Sequence, residues 1–491
     1  MKLYLKGHDY KYAAEQIMLT LFPQERPEYP QGKPEGDRME LGLSEGRRYM
    51  TAACKLCLGG KKYYGRAAAA LDKLDGPLLR DRCCQRLIKN AVYKAALASG
   101  IKRPPWGSLT GVRPGKLFVP LLSAGMSDSE ALRQFMDSYD VSEERARLCL
   151  QTSKETIKVR QGLEAKDVCL YVGIPFCPTR CAYCSFVSQS VEKSMKLIEP
   201  FMEALYKELE AIAAQVDELG LRIISIYFGG GTPTTLSASQ LDGLCSFLER
   251  RFDLSSVREY TVEAGRPDTI TEEKLRVLHR HGVDRISVNP QTMSDKVLYV
   301  IGRKHTAQDI VEALEKVRGV GGFAVNMDLI AGLPADDESG FADTLERVLA
   351  LEPENITVHT LSLKKGSRIS LEGAEIPDGA QVSSMLDTAY EKLSGAGYAP
   401  YYLYRQKFMS GGFENVGWAK GEHINLYNIC IMEELCSILA AGGGGSTKLI
   451  RPDEGRNIRL MAPKYPLEYI QSIEKTCLEK QEIGKFYRQE E

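Results

Sequence analysis

The sequence predicts an α/β protein built on a partial (β/α)6 barrel, with an α+β domain before the barrel and a smaller domain after it. Apolar strand-like runs alternate with amphipathic helical runs about six times from Val168 onward, which is typical of a parallel sheet. The 491 residues exceed one ordinary core, and the alternation is absent from both ends of the chain. We therefore expect domains at 1–165, 166–373 and 374–491.

The predicted strands of the barrel are Cys169–Ile174, Ile223–Phe228, Glu259–Glu263, Arg285–Asn289, Ala324–Ile330 and Asn355–Leu361. The predicted helices between them are Met195–Val216, Ala238–Phe252, Glu272–His281, Ala307–Val317 and Gly340–Leu351. In barrels of this type, functional residues collect at the carboxyl ends of the strands. Polar and glycine-rich segments at those ends are therefore the first candidates for a site.

The overall composition argues against two classes of partner. Lys and Arg number 64 against 65 Asp and Glu, so the net charge of -1 gives no bulk attraction to nucleic acid. No apolar run approaches the roughly 20 residues that span a bilayer, and Met1–Gly7 carries no signal-peptide apolar region. We expect a cytoplasmic protein whose 13 cysteines are thiols or metal ligands rather than disulfides.

Three cysteines, Cys177, Cys181 and Cys184, follow the first predicted strand of the barrel. Closely spaced thiolates hold iron–sulfur clusters, and three ligands on a four-iron cubane leave one iron open to another ligand. The alternatives are a structural zinc site or buried thiols, but zinc normally takes four ligands and no Cys or His occurs in the next twenty residues. The C-x3-C-x2-C spacing, with Tyr183 before the last cysteine, resembles the radical S-adenosylmethionine (SAM) superfamily.

Further candidate residues follow the later strands, namely Gly229–Thr232, Glu263, Asn289–Gln291, Arg303–His305 and Asp328. Bare glycines let a backbone approach a ligand closely, and carboxylates suit hydrogen bonding to an ammonium or a ribose. Each feature alone has an ordinary alternative, such as a turn, a helix cap or a solvated cation. Their recurrence at successive strand ends favours one shared ligand pocket.

These motifs, with Val262–Asp268 and Arg285–Thr292, resemble the oxygen-independent coproporphyrinogen III oxidase family of radical SAM enzymes over about Leu170–Leu363. The amino-acid sequence of these motifs is most similar to that of the coproporphyrinogen dehydrogenase-like branch of Bacillus- and Clostridium-type bacteria. The resemblance implies that Cys177, Cys181 and Cys184 ligate a [4Fe–4S] cluster. It implies SAM contacts from Tyr171, Tyr183, Gly230, Gly231, Thr232, Glu263, Gln291, Arg303, Asp328 and Ser362.

The resemblance also implies a reaction and its partners. A 5′-deoxyadenosyl radical from SAM takes hydrogen from a propionate of coproporphyrinogen III, and loss of CO2 and one electron leaves a vinyl group. Two such cycles give protoporphyrinogen IX, with electrons from a donor such as flavodoxin or ferredoxin. Two departures leave alternatives open: Phe186 stands where the oxidase has a further cysteine, and Glu414–Trp418 lacks the histidine of the related heme chaperones. The alternatives are a heme-binding or heme-delivery protein, or a radical SAM enzyme acting on another tetrapyrrole.

Three cations outside the barrel are candidates for binding the propionates. Arg113 lies in a basic Gly- and Pro-rich loop, and Arg405 and Lys407 follow the predicted aromatic strand Tyr398–Tyr404. Arginine pairs bidentately with carboxylates, and aromatic rings stack on a flat substrate. The alternative is a structured linker and a strand end with solvated charges.

The remaining predictions concern the two ends of the chain. Helical periodicity predicts helices at Gly65–Leu74, Arg80–Ala98, Asp128–Asp137 and Gln381–Ser394. Cys54, Cys57, Cys83 and Cys84 lack matching partners at metal-site spacing and are predicted to be buried or half-buried free thiols. The glycines 442–445 follow the apolar run Ile438–Ala441, so that they either line a pocket or end a helix.

Overall fold

The computed structural model describes residues 1–184, 189–190, 194–362, 375–405, 412–451 and 456–488. These residues form two compact units. The first unit comprises Met1–Leu150 with Arg405–Phe413, and the second comprises Gln151–Tyr404 with Glu414–Glu491. Every helix in the described part of the chain is too short or too polar to cross a membrane.

The first unit contains a four-stranded sheet in the order β1-β2-β3-β4, in which β1 is parallel to β2 and the other pairs are antiparallel. The strands are β1 (Lys2–Lys6), β2 (Arg38–Glu45), β3 (Tyr49–Leu58) and β4 (Lys61–Ala70). The helices are α1 (Lys11–Leu21), α2 (Pro77–Ala98), α3 (Gly115–Ser123), α4 (Asp128–Tyr139) and α5 (Glu143–Gln161), the last of which continues past Leu150. The core lies among the sheet, α1 and α2. All four cysteines predicted to be free thiols are buried, which confirms that prediction.

The helix predicted at Gly65–Leu74 is wrong, because residues 61–70 form strand β4. Its alanine-rich sequence has high helix propensity, but ten residue pairs with β3 hold it in the sheet. Gly65 also packs directly on α2: a Cβ atom there would lie 2.1 Å from the carbonyl oxygen of Ala91. Tertiary pairing and this close approach outweigh the local propensity.

The second unit is organised on one sheet of eleven strands. Its central six are parallel and neighbour one another in chain order, which confirms the predicted series of strand–helix units. They are β5 (Asp167–Ile174), β8 (Arg222–Gly230), β9 (Glu259–Glu263), β10 (Arg285–Ser287), β11 (Ala324–Ala331) and β12 (Asn355–Thr360). The short strands β6 (Phe176–Cys177) and β7 (Gln189–Ser190) pair separately. All parallel strands end at the same edge of the sheet, so the candidate residues that follow them are brought together.

The connecting helices between residues 238 and 350 each begin at a residue whose side chain caps the helix. The side chains of Ser237 and Thr306 each accept a hydrogen bond from the backbone N–H three residues on, and each residue donates its own backbone N–H to the side chain at that third position, forming capping boxes. The helices up to β12 are α6 (Ile198–Leu219), α7 (Ala238–Arg251), α8 (Glu272–Arg280), α9 (Asp295–Val300), α10 (Ala307–Val320) and α11 (Glu338–Ala350). The helices after β12 are α12 (Gly379–Gly395), α13 (Leu426–Glu433), α14 (Pro466–Gln471), α15 (Ile473–Glu479) and α16 (Gln481–Arg488).

The last part of the chain extends the same sheet at both edges. Its strands are β13 (Tyr398–Arg405), β14 (Glu414–Lys420), β15 (Ser437–Gly442), β16 (Ser446–Arg451) and β17 (Arg456–Met461). Strand β14 pairs antiparallel with β12, and β15 pairs parallel with β5. The predicted boundary at residue 373 therefore separates segments that share one sheet, and the three-domain division stays a prediction.

The apolar run Ile438–Ala441 is part of strand β15, so of the two alternatives for the glycines that follow it, the end of a helix is excluded. The run lies in register with β5 from Ser437 opposite Val168 to Gly442 opposite Gly173. A Cβ atom at Gly442 would lie 2.1 Å from the carbonyl oxygen of Gly173, and its φ of 93° suits glycine. Glycine is therefore required at position 442, because strands β15 and β5 lie too close together there for a larger residue.

Candidate active site

The segment that carries the three cysteines is held by the glycine-rich turn after β8. Gly231 donates its N–H to the carbonyl of Ile174 at 2.8 Å, and Thr232 donates to that of Phe176 at 2.7 Å. The hydroxyl of Thr232 reaches the Sγ of Cys177 at 3.5 Å. A Cβ atom at Gly231 would lie 2.4 Å from the oxygen of Phe176. Glycine is thus needed here so that the turn can lie directly against the cysteine segment.

Two buried arginines lie beside Cys181. Arg266 donates to the Sγ of Cys181 at 3.6 Å and to the hydroxyl of Thr179 at 2.9 Å. Arg303 donates to the hydroxyl of Tyr183 at 3.2 Å and to the carbonyl of Asn289 at 2.6 Å. Burial alone raises the pKa of Cys181, but the charges of Arg303 and Arg266 outweigh it and leave that pKa lowered. The surroundings therefore favour a thiolate, the form that ligates metal.

Several buried polar atoms near this segment find no hydrogen-bond partner within the described part of the chain. They are the Nε of Arg303, both ring nitrogens of His305 and the Oγ of Ser362. Burial, with the charges of Arg303 and Arg266, lowers the pKa of His305 to about 3, so its ring is neutral at physiological pH. Unpaired buried polar groups cost free energy unless a ligand satisfies them. Together with the three thiols, they fit an iron–sulfur cluster and a polar cofactor.

A second group of side chains surrounds Glu263 at the end of β9. Its carboxylate accepts a hydrogen bond from the hydroxyl of Tyr227 at 2.5 Å. The ring of Tyr227 is stacked with Tyr427 at 4.3 Å and with Tyr171 at 6.3 Å between centroids. Burial raises the pKa of Glu263 to about 7, although the bond from Tyr227 opposes that rise. An aromatic wall with one titratable carboxyl suits a cofactor that offers hydrogen-bond donors.

A third group is centred on Asp328 in β11. The side chain of Asn289 donates to Asp328 at 2.7 Å, and the imidazole of His359 lies 3.8 Å from its other oxygen. Burial alone raises the pKa of Asp328, but the neighbouring His359 and the hydrogen bond from Asn326 outweigh it and hold that pKa below its usual range. The backbone N–H of Gln291 donates to the carbonyl of Asp328 at 2.9 Å. Asp328 is therefore a fixed anion at the carboxyl edge of the sheet.

The structure brings the predicted cysteine and SAM-contact residues to this edge of one sheet, within the second unit. Gly230 ends β8 directly before this turn, and a Cβ atom there would lie 3.4 Å from the hydroxyl of Tyr171. Whether each residue contacts a cofactor stays a prediction. Phe186 and Lys407 lie outside the described residues.

The two remaining candidate cations belong to the first unit. The guanidinium of Arg405 is buried, donates to the carbonyl oxygens of Leu109 and Gly412, and lies 5.1 Å over the ring of Trp106. Arg113 is half-buried in its loop. The contacts of Arg405 favour a role in holding this loop, and its predicted contact with substrate is untested.

Sequence reasoning missed several residues of the site, namely Arg266, Tyr227, His359 and Tyr427. Arg266 stands in a segment that the motif search did select, but nothing in the sequence indicated that it reaches Cys181. Tyr227 could have been found, because it lies two residues before Gly229 and so shares its face of the strand. Tyr427 lies in helix α13, and no sequence pattern around it indicates that it belongs to the site.

Comparison with known proteins agrees with this geometry. The radical SAM superfamily profile matches residues 171–348. The chain is 40% identical over 374 residues to the oxygen-independent coproporphyrinogen-III oxidase-like protein HemZ of Bacillus subtilis, covering 75% of each chain. It is 30% identical over 250 residues to the heme chaperone HemW of Bacillus subtilis, covering 50% of this chain and 64% of that protein.

Among solved structures, the coproporphyrinogen III oxidase HemN from Escherichia coli, a radical SAM enzyme, has the same fold. Its TM-score is 0.52 at 21% identity, over 66% of this chain and 73% of that one. The α/β fold predicted from the sequence is thus confirmed. Superfamily membership implies a [4Fe–4S] cluster and SAM. The chain belongs to the radical SAM superfamily, among the oxygen-independent coproporphyrinogen III oxidase-like proteins.

Proposed function

We propose that the protein decarboxylates two propionates of coproporphyrinogen III oxidatively, without oxygen, to the vinyl groups of protoporphyrinogen IX. The observation that carries the proposal is the carboxyl edge of the sheet, where three cysteines, two buried arginines and two half-buried carboxyl groups converge. The name of the HemZ relative, oxygen-independent coproporphyrinogen-III oxidase-like, supplies the substrate class. A role in porphyrin and heme biosynthesis follows from this reaction.

In this proposal Cys177, Cys181 and Cys184 ligate the cluster. The hydrogen bond from Thr232 to Cys177 and that from Arg266 to Cys181 orient two of the three ligands. Donors to ligating sulfur raise the reduction potential of a cluster, because they stabilise the extra negative charge of its reduced form. The second unit would thus both hold the cluster and set its potential.

When bound, the cluster and SAM supply the 5′-deoxyadenosyl radical that starts the reaction. Glu263 accepts hydrogen bonds from the cofactor, and Tyr171 and Tyr183 pack beside it. Asp328 and Gln291 are held by backbone bonds between β11 and the segment after β10, so that their positions are set before the cofactor arrives. Gly230, Gly231, Thr232, Arg303 and Ser362 complete the proposed cofactor contacts.

The four carboxylates of the substrate require cations. Arg113, Arg405 and Lys407 remain the proposed partners. For Arg405 this requires the bonds to Leu109 and Gly412 to be exchanged for a carboxylate. If Arg113→Ala left both the KM for coproporphyrinogen and kcat unchanged, Arg113 would be removed from the proposal.

The test is anaerobic reconstitution with iron and sulfide, followed by incubation with dithionite, SAM and coproporphyrinogen III and analysis of products by mass spectrometry. Protoporphyrinogen with CO2 and 5′-deoxyadenosine in matching amounts is the expected result. Deoxyadenosine without porphyrin change would retain the radical chemistry and assign it to another tetrapyrrole or anionic substrate. Replacing dithionite by a reduced flavodoxin or ferredoxin tests the proposed class of electron donor.

The similarity to HemW favours heme handling as a second candidate. This chain differs from the heme chaperones in that its Glu414–Trp418 segment contains no histidine. Histidine is the residue that most often ligates heme iron in globins and peroxidases. Titration of the cluster-loaded protein with heme distinguishes the two functions. A saturable change in the Soret band with no porphyrin product would favour heme handling, and an unchanged Soret band would exclude it.

A further inference from the structure

Three buried cysteines that play no part in the proposed cluster meet inside the second unit. Cys169 belongs to β5, Cys430 to α13, and Cys436 directly precedes β15. Their Sγ atoms all lie within 4.8 Å of one another, and those of Cys169 and Cys436 are 3.7 Å apart although 267 residues separate them in sequence. All three side chains are buried.

Backbone contacts independent of the thiols hold this arrangement. Helix α13 ends at Glu433, and the next residue, Glu434, reverses the chain with its φ of 55°. The N–H of Leu435 then donates to the carbonyl of Cys430 at 3.2 Å. The reversal returns Cys436 to the side of Cys430. The parallel register of β15 with β5 then places Cys436 beside Cys169.

The other end of α13 is fixed by Glu259 of β9. Its carboxylate accepts the N–H groups of Leu426 and Tyr427 at 2.7 and 3.1 Å, which anchors the helix by its first turn. The three thiols are therefore presented by elements whose positions are set elsewhere. Such preorganisation is what a chelating site requires.

The sulfur spacing matches one metal ion. Thiolates bound to a single tetrahedral zinc at about 2.3 Å lie roughly 3.8 Å apart, close to the 3.7 Å between Cys169 and Cys436. A cubane cluster would spread its ligands further, because each sulfur binds a different iron atom. The walls are apolar, with Ile224, Tyr427 and Ile438 among the buried neighbours. Soft sulfur ligands without oxygen donors select Zn2+ or Cu+ over hard cations.

We propose that Cys169, Cys430 and Cys436 form a second metal site, which binds one thiophilic ion of the Zn2+ or Cu+ class. Each thiol releases its proton to solvent as its sulfur–metal bond forms, and no electron is transferred. Among the described residues, no fourth His, Cys, Asp or Glu joins the group. A site with three thiolate ligands therefore suits three-coordinate Cu+, whereas Zn2+ would bind one water as its fourth ligand. The site joins the first barrel strand to the last parallel strand and does not depend on the proposed reaction.

The test is metal analysis of the full chain after its cluster has been reconstituted, so that iron occupies Cys177, Cys181 and Cys184. Zn2+ alone and Cu+ alone are offered anaerobically under reducing conditions, and unbound metal is removed. We expect one equivalent of one of these ions per chain, with only sulfur, or sulfur and one oxygen, in its X-ray absorption spectrum. Cys430→Ala and Cys169→Ala should each lower the bound metal at least tenfold while iron content is retained.

Cys245→Ala is the matched control, since Cys245 is also buried but contacts the hydroxyl of Tyr260 instead of other thiols. It should retain both metals. A Cys177→Ala, Cys181→Ala, Cys184→Ala chain should lose iron and keep the second ion, which separates this site from the proposed function. Less than a tenth of an equivalent in the wild-type chain, or a Cys169–Cys436 disulfide found by peptide mapping of freshly isolated protein, would overturn the proposal.

Discussion

Arg266 shows how one buried side chain acts on the proposed cluster. Its guanidinium is 3.6 Å from the Sγ of Cys181 and is also held by Thr179. The positive charge and the N–H group stabilise negative charge on sulfur. They act more strongly on the reduced cluster, which carries one more electron.

We predict that Arg266→Gln lowers the reduction potential of the reconstituted cluster by on the order of 50 mV, since 59 mV is a tenfold change for one electron. Redox titration followed by electron paramagnetic resonance measures it. Arg276→Gln is the control, because Arg276 is exposed and pairs with Glu272 one helical turn away. An unchanged or higher potential in Arg266→Gln, with full iron content, would contradict the assignment.

The raised pKa of Glu263 predicts a pH dependence of SAM binding. Burial raises that pKa to about 7 in the free site, and in the proposed site the hydrogen-bond donors of SAM would bind the ionised carboxylate. Below pH 7 the carboxyl must first lose its proton, so affinity should rise by about tenfold between pH 6 and pH 8 and then level off. Equilibrium dialysis with cluster-loaded protein measures the dissociation constant.

Two variants check this assignment to Glu263. Glu263→Gln should remove most of the pH dependence. Tyr227→Phe should move its midpoint to higher pH, because the bond from Tyr227 lowers the pKa of Glu263. An affinity that stays constant from pH 6 to pH 8 in the wild-type chain would show that Glu263 does not titrate on binding.

At the scale of elements, strand β4 depends on one glycine. A Cβ atom at Gly65 would lie 2.1 Å from the oxygen of Ala91 and 2.5 Å from the nitrogen of Ala95, both in helix α2. Neither backbone can move without separating the sheet from the helix. The contact explains why an alanine-rich segment is a strand here.

We predict that Gly65→Ala destabilises the first unit by about 3 kcal/mol through overpacking. Gly42→Ala on β2 is the control, since a Cβ atom there meets nothing within 4 Å, and its effect should lie between zero and about 1 kcal/mol of stabilisation. Urea unfolding followed by the fluorescence of Trp106 in a Trp418→Phe background measures both. Equal midpoints for the two variants would refute the packing argument.

The prediction of elements succeeded where the pattern is local. The alternation of apolar strands with amphipathic helices marks the six central parallel strands, and helical periodicity marks α2, α4 and α12. Both patterns depend only on residues that are close along the chain, and these elements are confirmed. It failed at β4, whose conformation depends on pairing with β3 and packing on α2. It also left β15 unresolved, because a short apolar run suits a strand and a helix equally.

At the scale of the whole molecule, a buried ion pair joins the C-terminal helices to the barrel. Lys480, between α15 and α16, lies 2.8 Å from the carboxylate of Glu208 in α6, and both side chains are almost fully buried. Glu208 also accepts the hydroxyl of Tyr469 at 2.5 Å and the N–H of Gly442 at 2.8 Å. Removing the cation would leave an uncompensated buried charge.

We predict that Lys480→Met destabilises the second unit by about 3–5 kcal/mol. Lys207→Met, which breaks the exposed pair with Glu474, should cost less than about 1 kcal/mol. Hydrogen exchange measured by mass spectrometry should rise in β5 and β15 together with the C-terminal helices in Lys480→Met. An increase confined to residues 466–488 would mean that these helices unfold independently of the sheet.

The sequence by itself determined the α/β class and the six parallel strands, and it singled out the Cys177–Cys184 segment as the candidate cluster site. Each of these is encoded by the spacing of residues that are close along the chain. Only the tertiary structure decided that residues 437–442 add a seventh parallel strand, that Arg266 reaches Cys181, and that Cys169, Cys430 and Cys436 meet. These contacts join residues up to 267 positions apart, and backbone register and packing determine them rather than local pattern.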